Sequence, residues 1–269
     1  MSDAHIGKTK PAISVICPTY NSAAFVIDTL RTVAAQEFLP VELIVSDDGS
    51  TDGTPEIVES YLVACEKLRS RLVRNRHVGP GAARNAGVKV ATAEWIAFLD
   101  ADDLWLPGKL MAVVEAQREH PECNFFCHSE RHILLDGSTQ VLDYGKSYNQ
   151  AKPLGAQLFH NNLFSTSAVV CRRQLLEEHG SFDESLMSGQ DYELWLRLAP
   201  HIRVCFIREV FGSYVHRPGN ITSGRLERRT LNIMAIKHRH REQATFFNYS
   251  LTMGKLAASY LKAKLKAVY

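Results

Sequence analysis

Two hydrophobic periods alternate along the first hundred residues. Ile13 to Cys17 is a β-branched, apolar run that predicts a strand closed by Pro18. Ala23 to Gln36 places Phe25, Leu30 and Val33 at helical spacings. Val41 to Val45 predicts a second strand, running into the turn-rich Asp47-Asp48-Gly49-Ser50. A helix over Ile57–Leu68, a short strand over Arg71–Arg74 and a helix over Ala82–Val90 follow. Trp95 to Leu99 is a fourth strand, leading into Asp100. Strands alternating with helices predict an α/β fold, a mostly parallel central sheet with helices on both faces. Such sheets bind ligands beyond the carboxyl ends of their strands. Pro18-Thr19-Tyr20-Asn21, Asp47–Thr54 and Asp100–Asp103 all lie at such ends, so one cleft should collect all three.

The pattern then changes. Phe125–Leu135 and Val141–Tyr144 flank Asp136-Gly137, a hairpin signal. Thr166–Cys171 reads as a strand, Gln190–Leu198 as a helix, and Ile202–Ile207 and Phe211–Val215 as two further strands. From Leu226 onward only two helical patterns remain, broken near Asn248. The chain therefore divides into 1–110, 111–223 and 224–269, the first two as halves of one domain.

The 269 residues, 45% hydrophobic and 22% charged, suffice for one sizeable core and exclude a disordered or collagen-like chain. A formal charge of +2 implies no nucleic-acid partner, but its distribution is uneven. From Gly224 to the end ten Lys and Arg face only Glu227 and Glu242, so a basic tail follows a mildly acidic globule. No apolar run approaches the ~20 residues of a spanning helix, and the polar Met1–Lys10 carries no signal-peptide core. The six cysteines mostly lie in apolar stretches and read as buried thiols, Cys123 and Cys127 beside His128 included, which points to a reducing cytoplasm.

Asp100-Ala101-Asp102 carries the sharpest chemistry. In an extended strand end, residues i and i+2 share a side. Two carboxylates ~6 Å apart repel by about 3 kcal/mol at an effective dielectric of 20, a penalty that a divalent cation removes. Mg²⁺ or Mn²⁺ held by one or two carboxylates completes its shell with phosphate oxygens and water. The alternative is capping of a helix starting near Leu104, a role assigned to Asp103. In Asp47–Thr54 a carboxylate can accept a base N–H or a ribose hydroxyl, or the string is only a turn and cap. Gly79-Pro80-Gly81 offers close backbone approach to a ligand, with Arg84 either on a phosphate or solvated. By spacing alone Asp191 is a first-turn acid favoured by the helix dipole. By the same measure His216 is an ordinary structural histidine.

In this order the pieces resemble family 2 glycosyltransferases of the GT-A fold. The resemblance rests on Ile13–Asn21 (ISVICPTYN), Glu42–Thr54 (ELIVSDDGSTDGT), Gly81–Gly87 (GAARNAG), Phe98–Asp103 (FLDADD), Gly180–Glu184 (GSFDE) and Gln190–Leu198 (QDYELWLRL), spread over residues 12 to about 222. It implies inverting transfer of a sugar from a nucleotide-diphosphate sugar, a UDP-sugar favoured, to an acceptor hydroxyl. Pro18, Tyr20 and Asp48 would line the base and ribose pocket, with Thr19, Asn21 and Arg84 in the same nucleotide site. Asp100 would approach the ribose and Asp102 the metal, Mn²⁺ or Mg²⁺, with His216 near metal or diphosphate. Asp191 would be the general base, in place of the first-turn acid that spacing alone makes of it. Many relatives carry an acid just before the base where this chain has Gln190, which leaves Glu193 as fallback.

The resemblance assigns residues 1–110 to the donor and 111–223 to a carbohydrate or lipid-linked saccharide acceptor. Acceptor recognition is expected within 125–190, where His160–Ser167 is unusually polar for a connection. Cell-surface polysaccharide or glycolipid synthesis would be the setting, and the family also admits a homodimer. In the tail, Leu256, Tyr260, Leu261, Leu265 and Val268 alternate with Lys255, Lys262, Lys264 and Lys266, a basic amphipathic helix suited to anionic lipid on the inner membrane face, or to docking on its own domain. Two rival functions share the architecture. A sugar-phosphate nucleotidyltransferase should show a Gly-rich, Arg-containing loop after the first strand, where Pro18–Asn21 stands. A catalytically silent binding domain would not need Asp100, Asp102 and Asp191.

Overall fold

The computed structural model describes residues 12–37, 41–217 and 226–266. Val268 and the segment Met1–Lys10 lie outside them. Strands β1 (Ile13–Thr19), β2 (Val41–Asp47), β3 (Arg69–Arg74) and β4 (Trp95–Phe98) pair in parallel in the order β3-β2-β1-β4. Helices α1 (Val26–Ala34), α2 (Thr54–Ala64) and α3 (Pro80–Val90) make the crossovers. The sheet continues through β8 (Val169–Arg172), β6 (Phe125–Ile133), β9 (Val204–Val215) and β5 (Leu104–Trp105), with β7 (Thr139–Leu142) in a hairpin on β6. The predicted α/β architecture is therefore present, with antiparallel pairs at β4–β8, β5–β9, β6–β7 and β6–β8.

Alternation along the strands feeds two cores. Val15 and Leu43 face one, with Leu30 of α1 and Val113 of α4 (Lys109–Glu119). Ile16, Ile44, Phe98 and Phe125 face the other, with Leu158 of α5 (Leu154–His160), Leu176 of α6 (Arg173–His179) and Trp195 of α7 (Gln190–Leu198). A Cβ at Gly87 would lie 2.6 Å from Ile16 Cγ2, so the missing side chain sets how closely α3 lies on β1.

Four local expectations are corrected. The first strand does not stop at Pro18 but continues to Thr19. Pro18 shares the edge that bonds β4 at Ile16, where Leu99 N–H donates to the Ile16 carbonyl, and β4 has ended by then, so no ladder bond is lost. No helix starts near Leu104; β5 pairs with β9 there and α4 begins at Lys109 after Gly108, so Asp103 caps nothing. The two strands expected over 202–215 are one, with irregular register around His128 and Ser129 opposite it. The helical tail breaks at 240–245, between α8 (Leu226–Arg239) and α9 (Phe246–Lys266), rather than near Asn248. All six cysteines are free, and Cys123, Cys127 and His128 are buried.

Candidate active site

The three strand-end segments do meet. The Asp48 N–H donates to the Thr19 carbonyl (2.8 Å), the Asn21 N–H to Ser50 Oγ (2.8 Å), and the Thr51 N–H to Asn21 Oδ1 (2.9 Å). Asn21 holds a left-handed φ of 48°, which its short polar side chain tolerates. Thr19 is buried and its hydroxyl is spent on Asp47 (3.1 Å). Thr19 and Asn21 therefore tie these loops together. Pro18 is buried within the strand, and Tyr20 just beyond its end is half-exposed.

The tyrosine does not stand alone. Its ring stacks on His77 at 4.2 Å and 15°, and His77 Nδ1 lies 2.8 Å from Asp48 Oδ2. Asp48 is buried and also accepts the N–H groups of Val78 and Gly79, each at 3.0 Å. Its carboxylate organises the 77–79 loop before any ligand arrives, where the sequence pointed to a base or ribose contact. Sequence reasoning missed His77. Only its place just ahead of the small-residue run at Gly79 could have marked it.

The acidic turn follows β4. Asp103 N–H donates to the Asp100 carbonyl (3.0 Å), so Asp100 and Asp102 are brought together by a turn and not by an extended strand end. Thr29 Oγ, from α1, contacts the carbonyls of Ala101 (2.6 Å) and Asp103 (2.9 Å). Arg217, just past β9, donates to the Asp102 carbonyl (2.7 Å). Burial, then the charge of Asp100, raises the Asp102 carboxyl above its ordinary range.

Arg84 is not solvated. It is buried in α3, 2.5 Å from Asp100 Oδ1, with its guanidinium 5.3 Å from the Phe182 ring centre. Burial disfavours its charge, but Asp100 and then Asp191 outweigh that and hold the guanidinium firmly protonated. Among the described residues its buried Nε has no hydrogen-bond partner.

Asp191 comes from a different element, the first turn of α7. Trp195, fully buried one turn later, packs against Phe98 of β4 (6.4 Å between centres), Phe125 (5.2 Å) and Phe164 (6.1 Å). The aromatic cluster thus indexes Asp191 to the strand that delivers Asp100. Burial raises the Asp191 carboxyl, Arg84 pulls it back, and Asp100 adds to the rise. A carboxylate held above its ordinary range is a better proton acceptor than one in water. Thr166 Oγ1 is 3.4 Å from Asp191 Oδ2.

Glu193 is not a fallback base. It is buried, bonded to Arg197 (3.0 Å) and His240 (3.2 Å), and 3.7 Å from Arg239. Burial pushes its carboxyl up, but these partners outweigh burial and hold it below its ordinary value. His216 Nε2 faces His132 Nδ1 at 3.1 Å, so that nitrogen is occupied within the protein.

A divalent cation fits what is present. The donor set around the turn is two carboxylates without thiolate, and one of them, Asp100, already spends an oxygen on Arg84. Hard oxygen donors of low number suit Mg²⁺ or Mn²⁺, whose shell a diphosphate and water would complete. The raised Asp102 carboxyl marks a position where added positive charge is favourable.

Comparison with known proteins identifies the family and the fold. The family model for glycosyl transferase family 2 matches residues 14–180. A GalNAc(5)-diNAcBac-PP-undecaprenol beta-1,3-glucosyltransferase of Campylobacter jejuni is 28% identical over 218 residues, 80% of this chain and 68% of that protein. The solved structure of S. aureus TarS 1–349 in complex with UDP-GlcNAc superposes with a TM-score of 0.73 at 23% identity, over 93% of this chain and 73% of that one. The mannosyltransferase PcManGT of Pyrobaculum calidifontis, in complex with GDP-Man and Mn²⁺, gives 0.68 at 21% identity, over 96% and 74%. These two likenesses establish the GT-A fold. The chain spans only 30% to 63% of the length of the first curated relatives it matches.

Proposed function

The chain belongs to glycosyl transferase family 2, and on that premise we propose that it transfers a sugar from a nucleotide-diphosphate sugar to an acceptor hydroxyl with inversion. One observation carries the reading: Arg84 pairs with Asp100 at 2.5 Å in the turn that also carries Asp102, and Asp191, from a different element, lies close enough that its charge and those of Arg84 and Asp100 perturb one another. In this reading donor binding and proton removal are supplied by different elements, the turn after β4 and the first turn of α7.

In this reading Tyr20, backed by His77, supports the base, and the Asp48-ordered 77–79 loop closes the pocket around base and ribose. Asp100, fixed by Arg84, lies on the ribose side, and Arg84 acts on the donor through that carboxylate. Bound Mn²⁺ or Mg²⁺ would neutralise charge on the departing diphosphate, and Asp102 would hold it. With its Nε2 facing His132, His216 would reach the metal or the diphosphate only through Nδ1. Asp191 accepts the acceptor's proton as the new bond forms, and the raised carboxyl lets it do so at neutral pH with little penalty.

UDP-sugars are the favoured donors, since TarS binds UDP-GlcNAc on the same fold; PcManGT keeps GDP-sugars in contention. A lipid-linked saccharide is the proposed acceptor, by analogy with the undecaprenol-linked substrate in the name of the Campylobacter relative. No helix among the described residues is long and apolar enough to cross a membrane. Such an acceptor would be reached at the inner face of the membrane through α9. There Phe246 and Phe247 are 86% and 72% exposed, Leu251 and Leu261 are also exposed, and Lys255, Lys262 and Lys264 lie in solvent. The half-buried Tyr249, Leu256 and Tyr260 occupy the remaining face of the helix, and Tyr249 packs on the second core.

The test is thermal stability with UDP-, GDP- and dTDP-sugars in Mn²⁺, followed by release of the nucleoside diphosphate. A ligand at about 100 times its Kd stabilises by about 2.7 kcal/mol. One nucleotide series should raise the melting temperature and be slowly hydrolysed without acceptor. No shift and no hydrolysis with any of them would remove the reading.

A further inference from the structure

The connection from His160 to Ser167 is polar in sequence, and the structure shows where part of that polarity goes. Ser167 is 1% exposed and Thr166 6%, in a single 3-10 turn over Thr166–Ala168 that leads into β8. Ser167 Oγ accepts the Asp100 N–H (3.0 Å) and donates to Asp103 Oδ2 (2.5 Å), so one hydroxyl spans both ends of the acidic turn. The Ser167 carbonyl accepts Trp105 Nε1 (3.0 Å) and Lys109 Nζ (2.8 Å). Lys109 is wholly buried and lies over the Trp105 ring at 3.5 Å, so this anchor cannot swing out to water. The next residue back, Thr166, places its hydroxyl 3.4 Å from Asp191 Oδ2.

We propose that Thr166 and Ser167 are positioning residues that fix the separation between the base Asp191 and the donor-binding turn Asp100–Asp103. The inference rests on the glycosyltransferase reading above and extends it to two residues assigned there to nothing. The physical basis is the shortness of the link. Adjacent residues of one tight turn hold two acidic centres that the chain otherwise supplies from β4 and α7. A turn this short, with its carbonyl pinned by a buried lysine and an indole, transmits little slack. Small misplacements of reacting groups are costly to rate, so a rigid spacer between base and donor is useful to catalysis. The Ser167 hydroxyl is buried and spent within the protein, although it lies in the region expected to recognise the acceptor.

The two residues should fail differently. Ser167→Ala removes the strap on the metal-side turn. It should raise both the KM for donor and the Mn²⁺ concentration for half-maximal activity by roughly three- to tenfold, the size of one or two hydrogen bonds, while kcat changes less. Thr166→Val should lower kcat by a similar factor with donor KM unchanged, and Thr166→Ser should restore it. Calorimetric binding of UDP with Mn²⁺ gives a readout without turnover, weakened in Ser167→Ala and unchanged in Thr166→Val. Ser167→Cys, close in volume and a weaker hydrogen-bonding group, serves if the alanine variant does not fold, with the same direction expected.

Overturning results are distinct. Folded Ser167 variants with wild-type Mn²⁺ and UDP binding, or equal losses of kcat and KM in both positions, sink the positioning role while leaving the glycosyltransferase reading intact. A wild-type chain that neither binds UDP or GDP with Mn²⁺ nor turns over any donor sinks that reading and this inference with it.

Discussion

Replacing Asp191 by Asn separates catalysis from stability in a way that few other substitutions here can. The change keeps size and an acceptor oxygen for Thr166, and it removes only the ability to take a proton. General-base assistance contributes roughly 10²–10⁴ in rate, which is about 2.7–5.5 kcal/mol of transition-state stabilisation. The effect on folding runs the other way. Burial raises the Asp191 carboxyl against the pull of Arg84, so the folded protein holds that proton more tightly than the unfolded chain. Asp191's share of stability is therefore present below the unfolded value near 3.8 and lost as pH rises through the raised folded value. The asparagine variant has no such loss, so at neutral pH it should melt at or above the wild-type temperature. Steady-state kinetics with the donor found by the thermal screen should show kcat down by at least 100-fold, with donor KM little changed. The wild-type acid limb of kcat should fall above the usual carboxylate range and be absent from any residual activity. A variant with kcat within threefold of wild type, or one clearly less stable at neutral pH, would refute the assignment and the electrostatic argument together.

Glu193→Gln should give the reverse pattern: a lower melting temperature and a near-normal kcat. Its depressed carboxyl contributes stability above the unfolded value near 4.5 that is lost as pH falls through the folded one; a selective loss of turnover would return it to the mechanism. Arg84→Met should strand Asp100 beside Asp191. It should cost toward the lower end of the roughly 3–5 kcal/mol of a broken buried pair, because Asp100 is 31% exposed. Urea denaturation with a loss below about 1 kcal/mol would show that the pair is dispensable. Phe246→Glu with Phe247→Glu should abolish co-flotation with anionic vesicles and leave hydrolysis of a free donor unchanged. Undiminished flotation would detach α9 from any membrane role.

Residue order alone dictates the alternation of strands and helices, because β-branched runs such as Ile13–Cys17 and Val41–Val45 have a period that only a covered sheet satisfies. It also puts Asp48, Asp100, Asp102 and Asp191 at element ends, where the backbone opens toward a ligand. The pattern could not show what each side chain meets, since partners come from distant stretches: Arg84 looked free until α3 delivered it to Asp100, and Glu193 looked available until α8 brought Arg239 and the segment after it brought His240. Asp103 read as a helix cap because local spacing cannot foresee that Leu104 and Trp105 pair with β9. Tyr20 on His77, and Ser167 across the acidic turn, are likewise contacts over long sequence separations. Periodicity is a property of neighbours along the chain and survives without a fold. Whether a carboxylate is a base, a strut or a metal ligand depends on the charges and donors around it, and those are assembled by tertiary packing alone.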